Sequence, residues 1–294
     1  MNGNVIEIAG LEKRFHKSGF QLSLPSLCVR EGYITGFVGE NGAGKTTTIK
    51  LLMDMLRPDK GTVRVFGLDA RADGEAVRRE IGYVGEETGF LANARLRALA
   101  SMMRPFYPQW DDTALMRYME RFGLKPDQKF KSLSKGKQKQ FALAVALCRR
   151  PKLLLMDEPT ANLDPLVRQE VLDLLAEEME QEGVSVFFST HITSDLDKIA
   201  DYLIFLHGGE LLLEGEKDRL IDTRRMVKGR RELLTHQARA LLRGVEESDF
   251  GFRGLCEDEA AAFALFGNEA VYEKPTIEDL FMAYTRGKGA AHHV

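Results

Sequence analysis

From Tyr33 to about Leu213 the chain alternates short, continuous apolar runs with stretches in which apolar residues recur every three or four positions. YITGFV (33–38), LLLM (153–156) and VSVFFS (184–189) are runs of the first kind, the form a strand takes when both faces of a parallel sheet are covered. After the first run, Ile49, Leu52, Met53 and Leu56 fall at i, i+3, i+4 and i+7, which predicts an amphipathic helix stopped by Pro58. A further helix is predicted where Asp164 caps and Pro165 opens a segment. Its apolar face carries Val167, Val171, Leu174 and Leu175, and it ends near Gly183. LIFLHGGELLLEG (203–215) reads as two strands around a Gly-Gly turn. Strands alternating with helices make this an α/β fold.

Two regions break the alternation. Residues 87–150 are helix-rich and strand-poor, which predicts a helical lobe inserted into the α/β core. Beyond about Asp222, helical stretches at 235–243 and 257–267 lie between strand candidates at 224–228, 248–255 and 270–273, and TIEDLFMAYTRG follows. The chain therefore divides into 1–222 and a small α+β accessory domain, 223–294. KGAAHHV at the end reads as a frayed tail with a solvated histidine pair.

Composition narrows the options. With a net charge of −3, the chain as a whole is not built to coat nucleic acid or an anionic membrane. Cys28, Cys148 and Cys256 are far apart, as expected of reduced thiols rather than a disulfide framework. The N-terminus lacks the pattern of a signal peptide, and no apolar run approaches the roughly 18 residues needed to cross a bilayer. Any membrane crossing would fall to another chain.

The chemistry begins at GENGAGKT (Gly39–Thr46), which fits G-x-x-x-x-G-K-[ST] between a strand and a helix, the context that motif requires. Gly39, Glu40, Asn41, Gly42, Ala43 and Gly44 form a loop whose main-chain N–H groups can converge on phosphate oxygens, with the helix N-terminus adding its dipole. Lys45 would bridge the β- and γ-phosphates, and the Thr46 hydroxyl would ligate Mg²⁺. The strand of LLLMDEP (153–159) ends in Asp157, a second candidate for Mg²⁺, through water. Glu158 follows directly and could polarise an attacking water.

With these motifs in order, the chain resembles the nucleotide-binding subunit of ATP-binding cassette (ABC) transporters over about residues 1–222. The resemblance implies a P-loop NTPase core of ABC type with an antiparallel β subdomain, an inserted helical lobe and the C-terminal accessory domain. Phe15 sits where that family stacks an aromatic on adenine, although a core phenylalanine reads similarly. GENGAGKTT, with Thr47, is the phosphate motif, LSKGK (Leu133–Lys137) holds the signature position, and ANLD (161–164), with Asp164, matches the D-loop. STH (189–191) places His191 as the switch histidine contacting the γ-phosphate. Glu86 of GYVGEE (82–87) stands where the family usually has a Mg²⁺-binding Gln, with Glu87 its neighbour if the loop register slips. The signature also departs from LSGGQ, with Lys135 and Lys137 beside Ser134 and Gly136.

A single phosphate motif and a single signature imply, through the resemblance, two cassettes sandwiching two ATP molecules head to tail. The second cassette would be identical or different, and the pair would drive a separately encoded membrane permease from the cytoplasmic face. FYPQWDD (106–112) lies where such a permease would dock, or else contributes Phe106, Tyr107 and Trp110 to the core. The tail segment KPTIEDLFMAYTRG (274–287) resembles those of bacterial exporter cassettes. The rival readings are a soluble ABC-type ATPase acting on nucleic acid or ribosomes, a different P-loop NTPase, and a non-hydrolysing regulatory subunit. The first meets no coiled-coil arm and no second cassette. The second lacks the signature and D-loop segments, and the third is opposed by Glu158 and His191 together.

The stretch KFKSLSKGKQKQ (129–140) sharpens the point. Lysines in a helix's first turn oppose its dipole, each costing about 0.3–1 kcal/mol, unless an anion docks there. Residues 124–152 hold nine Lys or Arg against one acidic residue, but few aromatics, so no base-stacking platform for nucleic acid accompanies the charge. The reading assigns Lys129, Lys131 and Lys139 to a solvated basic face, and Ser134, Lys135, Gly136 and Lys137 to half of an ATP site completed by another chain.

Overall fold

A computed structural model describes residues 3–289. The His292–His293 pair lies outside the described residues. Ten strands form the larger sheet: β1 (Asn4–Phe15), β2 (Phe20–Arg30), β3 (Ile34–Gly39), β4 (Lys60–Val65), β5 (Leu68–Asp69), β6 (Ile81–Val84), β7 (Leu153–Asp157), β8 (Ser185–Thr190), β9 (Tyr202–His207) and β10 (Glu210–Glu216). Their spatial order is β5-β4-β1-β2-β10-β9-β3-β8-β7-β6. The run β9-β3-β8-β7-β6 is parallel, as the continuous apolar segments predict. The remaining strands pair antiparallel, apart from one joint: β2 meets β10 at the single pair Ser23–Glu210, in parallel sense.

The parallel strands are buried on both faces, and alternate residues feed two separate cores. Leu154 and Met156 of β7, with Phe188 of β8, face the helical lobe. Leu153, Leu155 and Phe187 point the other way, toward the antiparallel strands. Eight helices accompany this sheet: α1 (Lys45–Leu52), α2 (Gly74–Arg79), α3 (Leu96–Met103), α4 (Asp112–Arg121), α5 (Lys135–Leu147), α6 (Pro165–Glu182), α7 (Thr193–Ile199) and α8 (Lys217–Asp222). The lobe carries α3, α4 and α5 between β6 and β7. Asp164 caps α6 by accepting from the Val167 amide, and Gly183 closes it in the left-handed conformation, with φ 63°. Pro58 is not what stops α1. That helix ends at Leu52, and the chain turns through Asp54 at φ 54°.

The C-terminal segment builds a second, four-stranded sheet from β11 (Arg225–Gly229), β12 (Leu242–Ser248), β13 (Gly251–Cys256) and β14 (Val271–Glu273), in the order β12-β13-β11-β14. With it come α9 (His236–Leu241), α10 (Glu259–Phe266) and α11 (Ile277–Gly289). The helix expected over 235–243 stops at Leu241, and β12 begins at once. Its pairing with β13 satisfies main-chain groups that a longer surface helix would have bonded locally.

The two parts share a core. From α11, Leu280, Phe281, Ala283 and Tyr284 join the lobe-side cluster of the large sheet, together with Met226 and Leu255 of the small one. The Phe281 ring meets Phe205 of β9 edge-on, with centroids 5.4 Å apart. Truncating that ring leaves a cavity the neighbours cannot fill. Phe281→Ala should therefore lower unfolding free energy by about 3 kcal/mol, read by urea denaturation; a loss below about 1 kcal/mol would show that α11 is not held by this contact.

Candidate active site

The parallel strands deliver their carboxyl ends to one edge, where α/β sheets gather ligands. Three of the loops that follow them meet there: the 39–44 loop after β3, the turn after β7 and the turn after β8. Close packing explains the glycines. A Cβ on Gly44, whose φ is 113°, would lie 2.9 Å from Leu22 Cδ1 and 3.1 Å from a Phe20 ring atom, and one on Gly39 would lie 2.6 Å from the Leu206 carbonyl oxygen. No side chain caps α1 at Gly44, so its first-turn N–H groups and dipole are available to an anion.

A cavity of about 690 Å³ opens on this loop, lined by Glu40, Asn41, Gly42, Gly44, Lys45, Thr46 and Thr47 together with Phe15, Glu86, Glu158 and His191. Residues far apart in sequence thus converge on one space. Glu87, the alternative to Glu86, does not line it. Gly39 and Ala43 are buried behind the loop. Phe15 is half-buried at the rim, paired in register with Phe20 across the β1–β2 turn, their rings 6.2 Å apart. Ala161 and Asn162 of the ANLD segment also line the cavity, as do Ser18 and Phe20, neither of which stands out in the sequence. The usable signal for Phe20 was its position just past Gly19, opposite Phe15.

Charge is arranged around one carboxylate. Glu158 Oε1 lies 3.1 Å from Lys45 Nζ, and Oε2 lies 2.8 Å from His191 Nδ1. Lys45 also donates to the carbonyls of Gly39 at 2.6 Å and Glu40 at 3.2 Å. The Lys45 and Glu158 side chains are buried, whereas that of His191 is 43% exposed. Glu158 takes φ 48°, a left-handed conformation that costs a non-glycine residue about 1–3 kcal/mol and aims its side chain into the cavity. Asp157 sits behind the lining, 1% exposed, and accepts from the Ser189 hydroxyl at 2.6 Å. Thr46, Asp157 and Glu86 offer only hard oxygen donors, which suit Mg²⁺. No group of three or more His, Cys, Asp or Glu among the described residues could hold a metal alone. A metal here would take its other ligands from a bound phosphate, as Mg²⁺ does.

The signature segment lies elsewhere. Ser134 caps α5, accepting from the Lys137 amide, and Ser134 and Lys135 are exposed. None of Ser134, Lys135, Gly136 and Lys137 lines the 690 Å³ cavity. Lys137 turns back to donate to the Phe122 carbonyl at 2.5 Å, and Gly136 is buried where a Cβ would meet Val167 at 3.1 Å. The Asp164 carboxylate is engaged in capping α6, leaving Ala161 and Asn162 as the D-loop residues at the cavity. Lys139 is a correction: it is not on a solvated face but 9% exposed, donating to the Gly85 carbonyl at 2.7 Å and toward the Glu158 carbonyl at 3.5 Å. Burial pushes its ammonium down to about 8, against the pull of Glu86, Asp157 and Glu158.

Comparison with known proteins accords with this geometry. The family model described as ABC transporter matches residues 22–161. The ABC transporter ATP-binding protein YdbJ of Bacillus subtilis is 32% identical over 216 residues, 71% of this chain and 68% of YdbJ. The chain belongs to the ABC transporter ATP-binding family. The bacitracin transport ATP-binding protein BcrA of Bacillus licheniformis is 33% identical over 194 residues, 65% of this chain. That match spans 63% of BcrA's own length, just under two thirds. Among solved structures, the post-hydrolysis dimer of the ATP-binding cassette MJ0796 bound to ADP and Pi aligns with a TM-score of 0.64 at 20% identity, covering 72% of this chain and 98% of that one. The ABC cassette fold is thereby established.

The buried pair Asp157–Ser189 offers a direct check on how this ABC site is built. Removing the hydroxyl strands a buried carboxylate, so Ser189→Ala should cost about 1–3 kcal/mol of stability. Urea denaturation at neutral pH measures it, and an unchanged midpoint would mean Asp157 finds another donor.

Proposed function

We propose that this ABC protein hydrolyses ATP with Mg²⁺ and so drives a separately encoded membrane permease, in the manner of an exporter. The observation that carries the reading is the position of the Glu158 carboxylate, between Lys45 and His191 in the cavity that also holds the phosphate loop. Lys45, the first-turn amides of α1 and the loop N–H groups bind and orient the phosphates. Glu158 accepts a proton from the attacking water, and His191 holds that carboxylate from the exposed side. Phe15 and Phe20 flank the adenine end. When bound, Mg²⁺ would be held by Thr46 and Glu86 and, through water, by Asp157, and would supply charge neutralisation at the phosphates.

Dimerisation completes the site in this reading. Ser134 and Lys135 stand exposed at the N-terminus of α5, outside their own cavity, and the Lys135 side chain makes no hydrogen bond or ion pair among the described residues. A second cassette, identical or different, brings its γ-phosphate to that terminus. The permease docks on the lobe side, where a groove of about 310 Å³ is lined by Met53, Met55, Phe90, Met103 and Tyr107. Phe106, next to Tyr107 in the chain, is 69% exposed. Tyr107 is held beneath the Arg149 guanidinium at 4.0 Å, and Trp110 packs on the core and donates to Asp112 at 2.9 Å. No described helix is long and apolar enough to cross a membrane. The name of BcrA, a bacitracin transport protein, supports transport of an antibiotic-like compound, with the cassette on the cytoplasmic face.

Purified protein should release phosphate from ATP only with a divalent cation. Glu158→Gln should lower turnover on the order of 100-fold or more, the usual share of a general base, and accumulate an ATP-bound dimer on size exclusion. A Glu158→Gln protein that keeps wild-type turnover defeats the mechanism, and one that stays monomeric at saturating ATP restricts the sandwich to a heterodimer. Lys135→Glu should reduce turnover several-fold with an unchanged melting temperature, since it places like charge where the partner's phosphate docks. Equal turnover would remove Lys135 from the site.

A further inference from the structure

Lys139 is a buried ammonium with no ion-pair partner among the described residues. Such a group is costly unless something specific holds it. Here the holders are two main-chain carbonyls, and both belong to loops at the cavity. Gly85 precedes Glu86, which lines the cavity from the turn after β6. The second carbonyl is that of Glu158 itself. One loop is closely packed and the other carries main-chain strain. A Cβ at Gly85 would lie 2.6 Å from the Tyr83 hydroxyl and 3.0 Å from the Glu87 carbonyl, and Glu158 sits at φ 48°. An ammonium suits this position because it has three donors and no acceptor to satisfy. Its charge is also attracted by three carboxylates, those of Glu86, Asp157 and Glu158, and repelled by Lys135; one of the three, Glu86, stands where the resemblance predicts a neutral side chain.

We infer that Lys139 is a positioning residue: its ammonium ties the Gly85–Glu86 turn to the main chain of Glu158, fixing the spacing of two carboxylates that line the cavity and offsetting their mutual repulsion. The inference rests on the hydrolysis reading for its effect on turnover, but its structural half stands without it. Because α5 also begins at the signature, the same helix that meets the partner's nucleotide at Ser134 holds this chain's own Glu158 at Lys139. A misplacement of the attacking machinery by about 1 Å can cost on the order of 100-fold in rate, while the phosphate-loop contacts that bind ATP remain.

The test compares wild type with Lys139→Met, Lys139→Gln and Lys139→Arg in three measurements: kcat and KM for ATP, melting temperature, and amide hydrogen exchange over residues 83–90 of the nucleotide-free protein. Lys139→Met should lower kcat about tenfold or more with KM changed less than about threefold, and should speed exchange in the 83–90 segment. Lys139→Arg, which keeps charge and donors, should return to within about threefold of wild-type kcat. Lys139→Gln keeps a donor without charge and should fall between them, and it decides by the same split if Lys139→Met does not fold. A kcat within twofold of wild type for Met, exchange unaltered in the segment, or an Arg variant as impaired as Met would each overturn the inference. Wild-type protein that releases no phosphate with Mg²⁺ would instead defeat the hydrolysis reading, and the exchange measurement alone would then judge Lys139.

Discussion

Glu158 can face both Lys45 and His191 only because three parallel strands end level with one another. β7 pairs with β8 from Leu153–Ser185 to Asp157–Ser189, and β8 pairs with β3 up to Val38–Thr190. The carboxylate, the lysine and the histidine each follow a different one of these strands by a few residues. A slip of one residue in either pairing would turn alternate side chains to the opposite face and exchange residues between the two cores that those strands feed. The geometry at the cavity is therefore set by apolar side chains such as Leu154, Met156, Phe187 and Phe188, well away from any phosphate. Main-chain strain at Glu158 is held by the same frame: its amide donates to the Ser189 carbonyl at 3.0 Å.

What could be seen in the sequence follows from how local each signal is. The phosphate loop, its strand and its helix lie within residues 34–52, and their chemistry is carried by residue types that have few other reasons to occur together. Strands buried on both faces announce themselves as unbroken apolar runs. β1 and β2 do not, because they alternate buried and exposed positions over long stretches and carry charged residues outward. β12 was hidden for a related reason: only its pairing with β13 makes LRGVEES a strand, and pairing is a non-local fact. Lys139 was misplaced because lysine is so seldom buried that its neighbours in KFKSLSKGKQKQ argued for solvent. Nothing within twelve residues could reveal the Gly85 carbonyl 54 positions upstream.

The two signature lysines show how three-dimensional context divides a single run of charge. Lys137 belongs to the first turn of α5, where a cation is unfavourable, yet its ammonium reaches the carbonyl of Phe122, at the end of α4. A cation at a helix C-terminus is favourable, so the penalty on one helix is offset on another. Lys135 has no such compensation. Of the lysines in this segment, it alone is left at the helix N-terminus with its charge turned to solvent.

Helix α11 changes what the C-terminal segment is. A domain that owns a complete core can be moved between proteins as a unit. This one cannot, because Leu280, Phe281 and Tyr284 are built into the core of the larger sheet while Val227, Phe252 and Phe266 form a core of their own. Exchanging residues beyond 222 with those of another protein would require the incoming segment to present an apolar ridge matching Phe205 and the helix after His191. The accessory part is thus constrained to change in step with the catalytic part rather than as a detachable module.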